Sequence, residues 1–295
     1  SSSSSSASAI GYKLVAVRGV PQNPLFDVAK FERLIEDFEG RDSDVWICTF
    51  VKAGTTWTQQ IVTLLRNGGE QGEQSYGEAV PWLEALCAGG VLPEREAPGW
   101  TLETVAANTE RRFFKSHARV EDLPGGFHGK VIAVARNPKD TLVSLYHHAK
   151  GKPEFGFSDG DFGAFLDVFL AGDAENGDWF DHVRGWHALS RDHPDRCLWL
   201  TYEDVIADHR GAVQRIAAFI GIDAADSRVV DKTVANSTIK SMQSNAKANI
   251  GLGHLRQGGV GGWRDTFTVS QSNLFDAAYR HRMAGSGPPL FFRPG

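Results

Sequence analysis

Three short apolar runs punctuate the chain: Val45 to Phe50, Val131 to Ala135 and Cys197 to Tyr202. Runs of this length, with little alternation of polar residues, predict strands buried on both faces, the pattern of a parallel sheet. The first two lead into helix-like segments. Behind the first, Trp57, Ile61, Leu64 and Leu65 recur at helical spacing. Behind the second, Pro138 stands where a first-turn proline belongs, and Leu142, Leu145 and Tyr146 follow. Phe162 to Leu170 and Trp179 to Leu189 also read as amphipathic helices. Strand, turn and helix in alternation predict one α/β domain: a central parallel sheet flanked by helices, binding ligands beyond the C-terminal ends of its strands. Residues 1–10 read as a flexible Ser-rich N-terminus and 11–295 as the domain. From Asn245 to Gly262 the periodicity dissolves into glycine and polar residues, a stretch long enough to predict a functional loop.

Composition narrows the partners. A chain of 295 residues that is 41% hydrophobic and 23% charged can bury a large core. Its formal net charge of -5 offers no basic face to nucleic acid or to a membrane surface, so any anion must be met locally. Cys48, Cys87 and Cys197 are far apart and odd in number, which argues against a disulfide framework and against a zinc site. No apolar run approaches the roughly 18 residues of a membrane span, and the start of the chain lacks the charged-then-apolar order of a signal peptide. The expected location is cytoplasmic.

Candidate chemistry sits in the turns. Val51 to Trp57 joins the first strand to its helix, where free N–H groups and a positive dipole end favour a phosphate. Gly54 permits close backbone approach, Thr55 and Thr56 add hydroxyls, and Lys52 adds charge. The plain alternative is an N-cap threonine on a core helix. A nucleoside-triphosphate loop needs GxxxxGK[ST], whereas here the lysine precedes a lone glycine. Arg136 closes the second strand with Ser144 eight residues on; by themselves these read more often as a surface ion pair and an incidental serine than as ligands. His117, one of 10 histidines, follows Lys115 and Ser116, setting a base beside a cation.

The motif text points further. Val51 to Trp57 resembles PKSGTTW, the 5'-phosphosulfate loop of cytosolic sulfotransferases, with Val51 and Ala53 departing from it. Val134 to Asp140, continuing to Ser144, Tyr146 and His147, resembles that family's 3'-phosphate element, VARNPKD with a following serine. Arg256 to Arg264 resembles RKGxxGDWK, with Gln257 for its lysine and Gly262 for its aspartate. Phe113 to His117 resembles LLKTH, and Tyr202 to Asp204 resembles YED. The resemblance implies a P-loop-like fold that moves a sulfonate from 3'-phosphoadenosine-5'-phosphosulfate (PAPS) to a hydroxyl or amine of a small molecule, leaving PAP and needing no metal. By it, Lys52 contacts the sulfonate and Gly54, Thr55 and Thr56 cradle the 5'-phosphate. Trp57, Tyr202, Ser237 and Ile239 belong to the adenine site. Arg136 and Ser144, joined by Arg256, Gln257 and Gly258, belong to the 3'-phosphate. His117 is the base for an in-line transfer, with Lys52 and Lys115 bracing charge. Phe26 and Trp82 wall an acceptor pocket suited to an apolar or aromatic molecule. Arg264, Thr268, Val269 and Asn273 partly match a homodimer segment. Two rivals stay open: a P-loop kinase or NTPase with Asp204 as metal ligand, and a catalytically silent nucleotide-binding protein.

Overall fold

After a short antiparallel hairpin, β1 (Val15–Val17) and β2 (Val20–Gln22), the chain builds four parallel strands. They are β3 (Val45–Thr49), β4 (Phe113–Ser116), β5 (Lys130–Ala135) and β6 (Cys197–Thr201), ordered β4-β3-β5-β6. The structure, a computed structural model, describes residues 6–223, 226–248 and 259–285. Most of the glycine-rich stretch after Asn245, with Arg256, Gln257 and Gly258, lies outside the described residues.

The three strands expected from apolar runs form with boundaries moved by one residue at most. β4 escapes a reading by hydrophobicity because only Phe113 and Phe114 are apolar before Lys115 and Ser116. Among the described residues it is the edge strand of the sheet, paired with β3 in register Ile47 to Lys115 and Cys48 to Ser116, with one further bridge from Lys115 to Trp82. The hairpin turns on Arg18 and Gly19, both at positive φ (49° and 81°), the conformation that matches a two-residue turn to strand twist.

Side chains alternate across the sheet. Trp46, Cys48, Val131 and Ala133 face one core with Phe31, Leu34 and Ile35 of helix Val28–Asp37 and Trp186 of helix Trp179–Asp192. Val45, Ile47, Ile132 and Val134 face the other, against Ile61, Val62 and Leu65 of helix Thr55–Arg66 and Val213, Ile216 and Ile220 of helix His209–Ile220. Covering both faces is what lets a strand such as β3 be buried at every position. Among the described residues no helix is long and apolar enough to cross a membrane.

The start of the described chain differs from a loose Ser-rich tail. Within the Ser-rich segment, Ser6–Ala9 is a helical turn: Ala7 is 1% exposed, and Ser6 donates to Asp173 Oδ2 from its amide (3.0 Å) and hydroxyl (2.7 Å). The structured part thus begins before residue 11. At the other end, helix Val269–Arg282 is tied to helix Pro138–Lys150 by the buried Lys139, whose ammonium is 2.6 Å from Asp276 Oδ1 and 2.7 Å from Ser272 Oγ. Val269, in the segment matched to a dimer motif, is 79% exposed.

The rim opposite the turns is closed by a buried fork. Arg112 donates from Nε to Asp44 Oδ1 (2.8 Å) and from Nη2 to Asp44 Oδ2 (2.6 Å) and Glu39 O (2.9 Å), locking the starts of β3 and β4. Removing one partner of a buried pair strands the other charge, which costs about 3–5 kcal/mol. Arg112→Met should therefore lower the urea midpoint by that amount of stability with an unchanged slope. A loss under about 1 kcal/mol would show that water reaches this pair.

Candidate active site

All four parallel strands release their chain at one rim, and there the turns enclose a cavity of about 530 Å³. Between β3 and helix Thr55–Arg66 the backbone is forced: Lys52 takes φ 70° and Gly54 φ 108°. Position 54 admits no side chain, since a Cβ there would lie 2.9 Å from Tyr202 Cδ2. As N-cap, Gly54 also brings no side-chain acceptor, so the helix begins uncapped against the cavity that Gly54, Thr55, Thr56 and Trp57 line. Thr49 and Thr55 hydroxyls, 2.6 Å apart, fasten strand end to helix start. The Lys52 ammonium lines the same cavity with no hydrogen bond or ion pair among the described residues. Burial, above all, lowers its pKa to about 8; Glu175 opposes this, while Lys115, Lys152 and Arg136 add to it.

Arg136 leaves the end of β5 and spans two loops. Nη1 donates to Lys52 O (3.2 Å), Nη2 to Gly259 O (3.1 Å), and the guanidinium lies 4.6 Å from the Tyr202 ring centre. Its Nε is buried with no partner, so donors remain for an anion. Ser144 lines the cavity from helix Pro138–Lys150. Asp140, in the first turn of that helix, accepts from Gly261 N (2.7 Å) and Trp263 N (3.0 Å) and holds Gly259, Val260 and Gly262 at the rim.

An aromatic slot adjoins this anion region. The Trp57 ring stands 5.5 Å from Tyr202 and 5.0 Å from His209, and Ile239 and Met242 line the cavity beside them. Ser237 does not line it. Its carbonyl accepts from Trp57 Nε1 (2.7 Å) and its hydroxyl bonds Thr233 O (2.6 Å) and His209 Nε2 (3.0 Å), so Ser237 orients the indole instead of meeting a ligand.

His117 follows β4 directly. Its Nδ1 is 2.9 Å from Thr49 O. A carbonyl only accepts, so the proton sits on Nδ1 and Nε2 keeps the lone pair. Burial, then Lys115, hold the ring's pKa well below the usual histidine value, and the imidazole is neutral. Lys115 departs from expectation. Its ammonium is 2.7 Å from Glu96 Oε2 in a buried pair and 4.5 Å from the Trp82 ring centre, so its charge is already matched. Ser116 donates to Glu84, a buried acid whose pKa burial raises to about 7.

Trp82 lines the cavity, 5.2 Å from the His117 ring, but Phe26 does not. Phe26 packs edge-on behind Trp82 at 5.5 Å and against Phe31 at 4.9 Å, supporting the wall from the core. The cavity is also less apolar than expected: Asn23, Arg95, Glu96, His148, Lys152 and Glu175 line it along with Leu92. These are isolated residues in loops and helix ends, with no local pattern to betray them. Asp140 and Thr49 did lie inside or beside recognised segments, and their roles follow only from what the fold sets against them.

The chain is similar to known proteins in sequence and in fold. Residues 42–287 match the family model described as a sulfotransferase domain. Mouse sulfotransferase 1A1 is 34% identical over 292 residues, 92% of this chain and 94% of that protein. Human sulfotransferase 2B1 is 34% identical over 262 residues, 83% and 67% of the respective chains. The crystal structure of mouse sulfotransferase SULT7A1 complexed with PAP superposes with a TM-score of 0.77 at 26% identity, covering 93% of this chain and 96% of that one. With a family model spanning most of its length and the loop, arginine and histidine motifs converging on one cavity, the chain belongs to the sulfotransferase family.

Proposed function

We propose that this sulfotransferase moves a sulfonate from PAPS to a hydroxyl or amine of a small acceptor, in line, with His117 as general base. The observation that carries the reading is Lys52, a desolvated ammonium without an internal partner among the described residues, lining one cavity with a neutral imidazole and the uncapped start of a helix. The residues fit the donor. Gly54, Thr55 and Thr56 would hold its 5'-phosphate, and Arg136, with Nε still unpaired, would hold its 3'-phosphate together with Ser144. Trp57, Tyr202 and Ile239 would flank its base. PAPS supplies the activated sulfonate, with the bridging oxygen to phosphate as leaving group.

His117 Nε2 takes the acceptor's proton as the acceptor oxygen or nitrogen bonds to sulfur. The bond from sulfur to the bridging oxygen breaks, and Lys52 meets the charge that collects there. Lys115, matched by Glu96, acts by fixing Trp82 and the strand that presents His117; it is a positioning residue in this reading. A kinase is disfavoured by the same cavity, where the unpaired cation of the phosphate loop is a lysine ahead of the glycine and Tyr202, just past the end of β6, fills the space over Gly54.

Arg136→Ala should weaken PAP by roughly tenfold or more, the scale of a lost charge-assisted contact, and weaken its analogue lacking the 3'-phosphate much less. Calorimetry that found both weakened equally would give Arg136 a purely structural part.

His117→Ala should lower turnover about a hundred- to ten-thousand-fold while keeping donor affinity within a few-fold. Because the neutral ring is the active form and its pKa is depressed, kcat/KM for PAPS should stay flat below the ordinary histidine value of 6.5. It should fall above about pH 8, where Lys52 loses its proton. An acid limb at the ordinary histidine value, or an alkaline limb absent well beyond the Lys52 value, would contradict these assignments.

A further inference from the structure

The acceptor end holds two cations that sulfonate transfer leaves unused. Arg95 lies in the last turn of helix Leu92–Glu96, and Lys152 follows helix Pro138–Lys150; both line the cavity that holds His117. Neither side chain has a hydrogen bond or an ion pair among the described residues. After burial, the Arg95 charge is the strongest influence lowering the proton affinity of Lys152, ahead of the opposing pull of Glu154, Glu96 and Glu175.

The nearby acids do not cancel this pair. Glu96 is matched by Lys115 at 2.7 Å. Glu175 is 2% exposed, its pKa raised to about 7 chiefly by burial, and it faces Lys52 and His148, whose Nε2 is 3.6 Å from its Oε2. That leaves Glu154 against two cations. Two like charges gathered at a partly desolvated wall repel, and an anion placed between them relieves the repulsion while gaining charge-assisted hydrogen bonds. A guanidinium fork with a mobile ammonium suits a carboxylate. Trp82 and Leu92 give the same end an apolar wall.

We propose that the acceptor carries a carboxylate, bound by Arg95 and Lys152, at the end of an apolar body that directs its hydroxyl or amine toward His117. The proposal rests on the sulfotransfer reading for the role of His117, but the carboxylate site stands on the two cations that line the cavity.

Three unreactive probes of one shape test it: 3-phenylpropionate, 3-phenylpropionamide and 3-phenylpropylamine, titrated calorimetrically into the full chain with and without saturating PAP. The carboxylate should bind at least about tenfold more tightly than the amide, and the amine most weakly. Arg95→Met with Lys152→Met should erase that preference while PAP affinity and the melting temperature hold. Glu154→Gln should strengthen the carboxylate further. An amide or amine that binds as well as the carboxylate would overturn the proposal, as would no binding by any probe at millimolar concentration. So would a preference that survives the double substitution, which would assign the carboxylate to Lys52. Failure of PAP itself to bind would instead count against the sulfotransfer reading, and the order of the probes without PAP would still decide the carboxylate site.

Discussion

An ammonium withdrawn from water with no carboxylate bonded to it is the interaction on which this site turns. Desolvation drives Lys52 toward neutrality, to a pKa of about 8, and an incoming anion reverses that cost by supplying the missing partner. The same withdrawal acts on His117, where it favours the neutral, proton-accepting ring. One low-dielectric cavity therefore prepares a cation for negative charge and a base for a proton.

The fold maintains this imbalance by engaging Asp140, Glu203, Asp276 and Glu96 elsewhere, which leaves the buried Glu175, its own pKa raised to about 7 by burial, as the acid that faces Lys52. Asp140 is taken up by the amides of Gly261 and Trp263. Glu203 accepts from Asn137 N, Asp276 answers Lys139, and Glu96 answers Lys115. Each of these bonds also holds a loop or helix end at the strand rim, so neutralising acids and shaping the cavity are one act. Gly54 completes the arrangement: its missing side chain lets Tyr202 pack over the turn and under the Arg136 guanidinium. An alanine there would meet both a strained φ and the Tyr202 ring.

Whether a feature can be read from the sequence alone depends on whether it is local. Val45–Thr49 and the turn to Trp57 are contiguous text, as are Val134 to Ser144, so the sheet core, the phosphate loop and the Arg136 position can be read from them. β4 cannot, because an edge strand of four residues needs little hydrophobicity when β3 supplies its hydrogen bonds. Phe26 and Ser237 look like pocket residues by neighbourhood, yet packing sets each one layer behind the surface it supports. The pairing of Lys115 with Glu96, and the placing of Arg95 and Lys152 on one cavity, join segments with no shared periodicity, and only the crossing of the chain at the rim brings them together.

A cavity of this kind either transfers sulfonate or merely holds a nucleotide. The most direct measurement incubates the chain in EDTA with sulfur-labelled PAPS and a panel of phenols, alcohols, sterols and amines, with and without carboxylates, and follows the label by mass spectrometry. Label should appear on an acceptor in step with PAP, and Lys52→Met should abolish transfer while His117→Ala nearly does. PAPS that binds and stays intact across the whole panel, or releases its label only as free sulfate, would contradict sulfonate transfer.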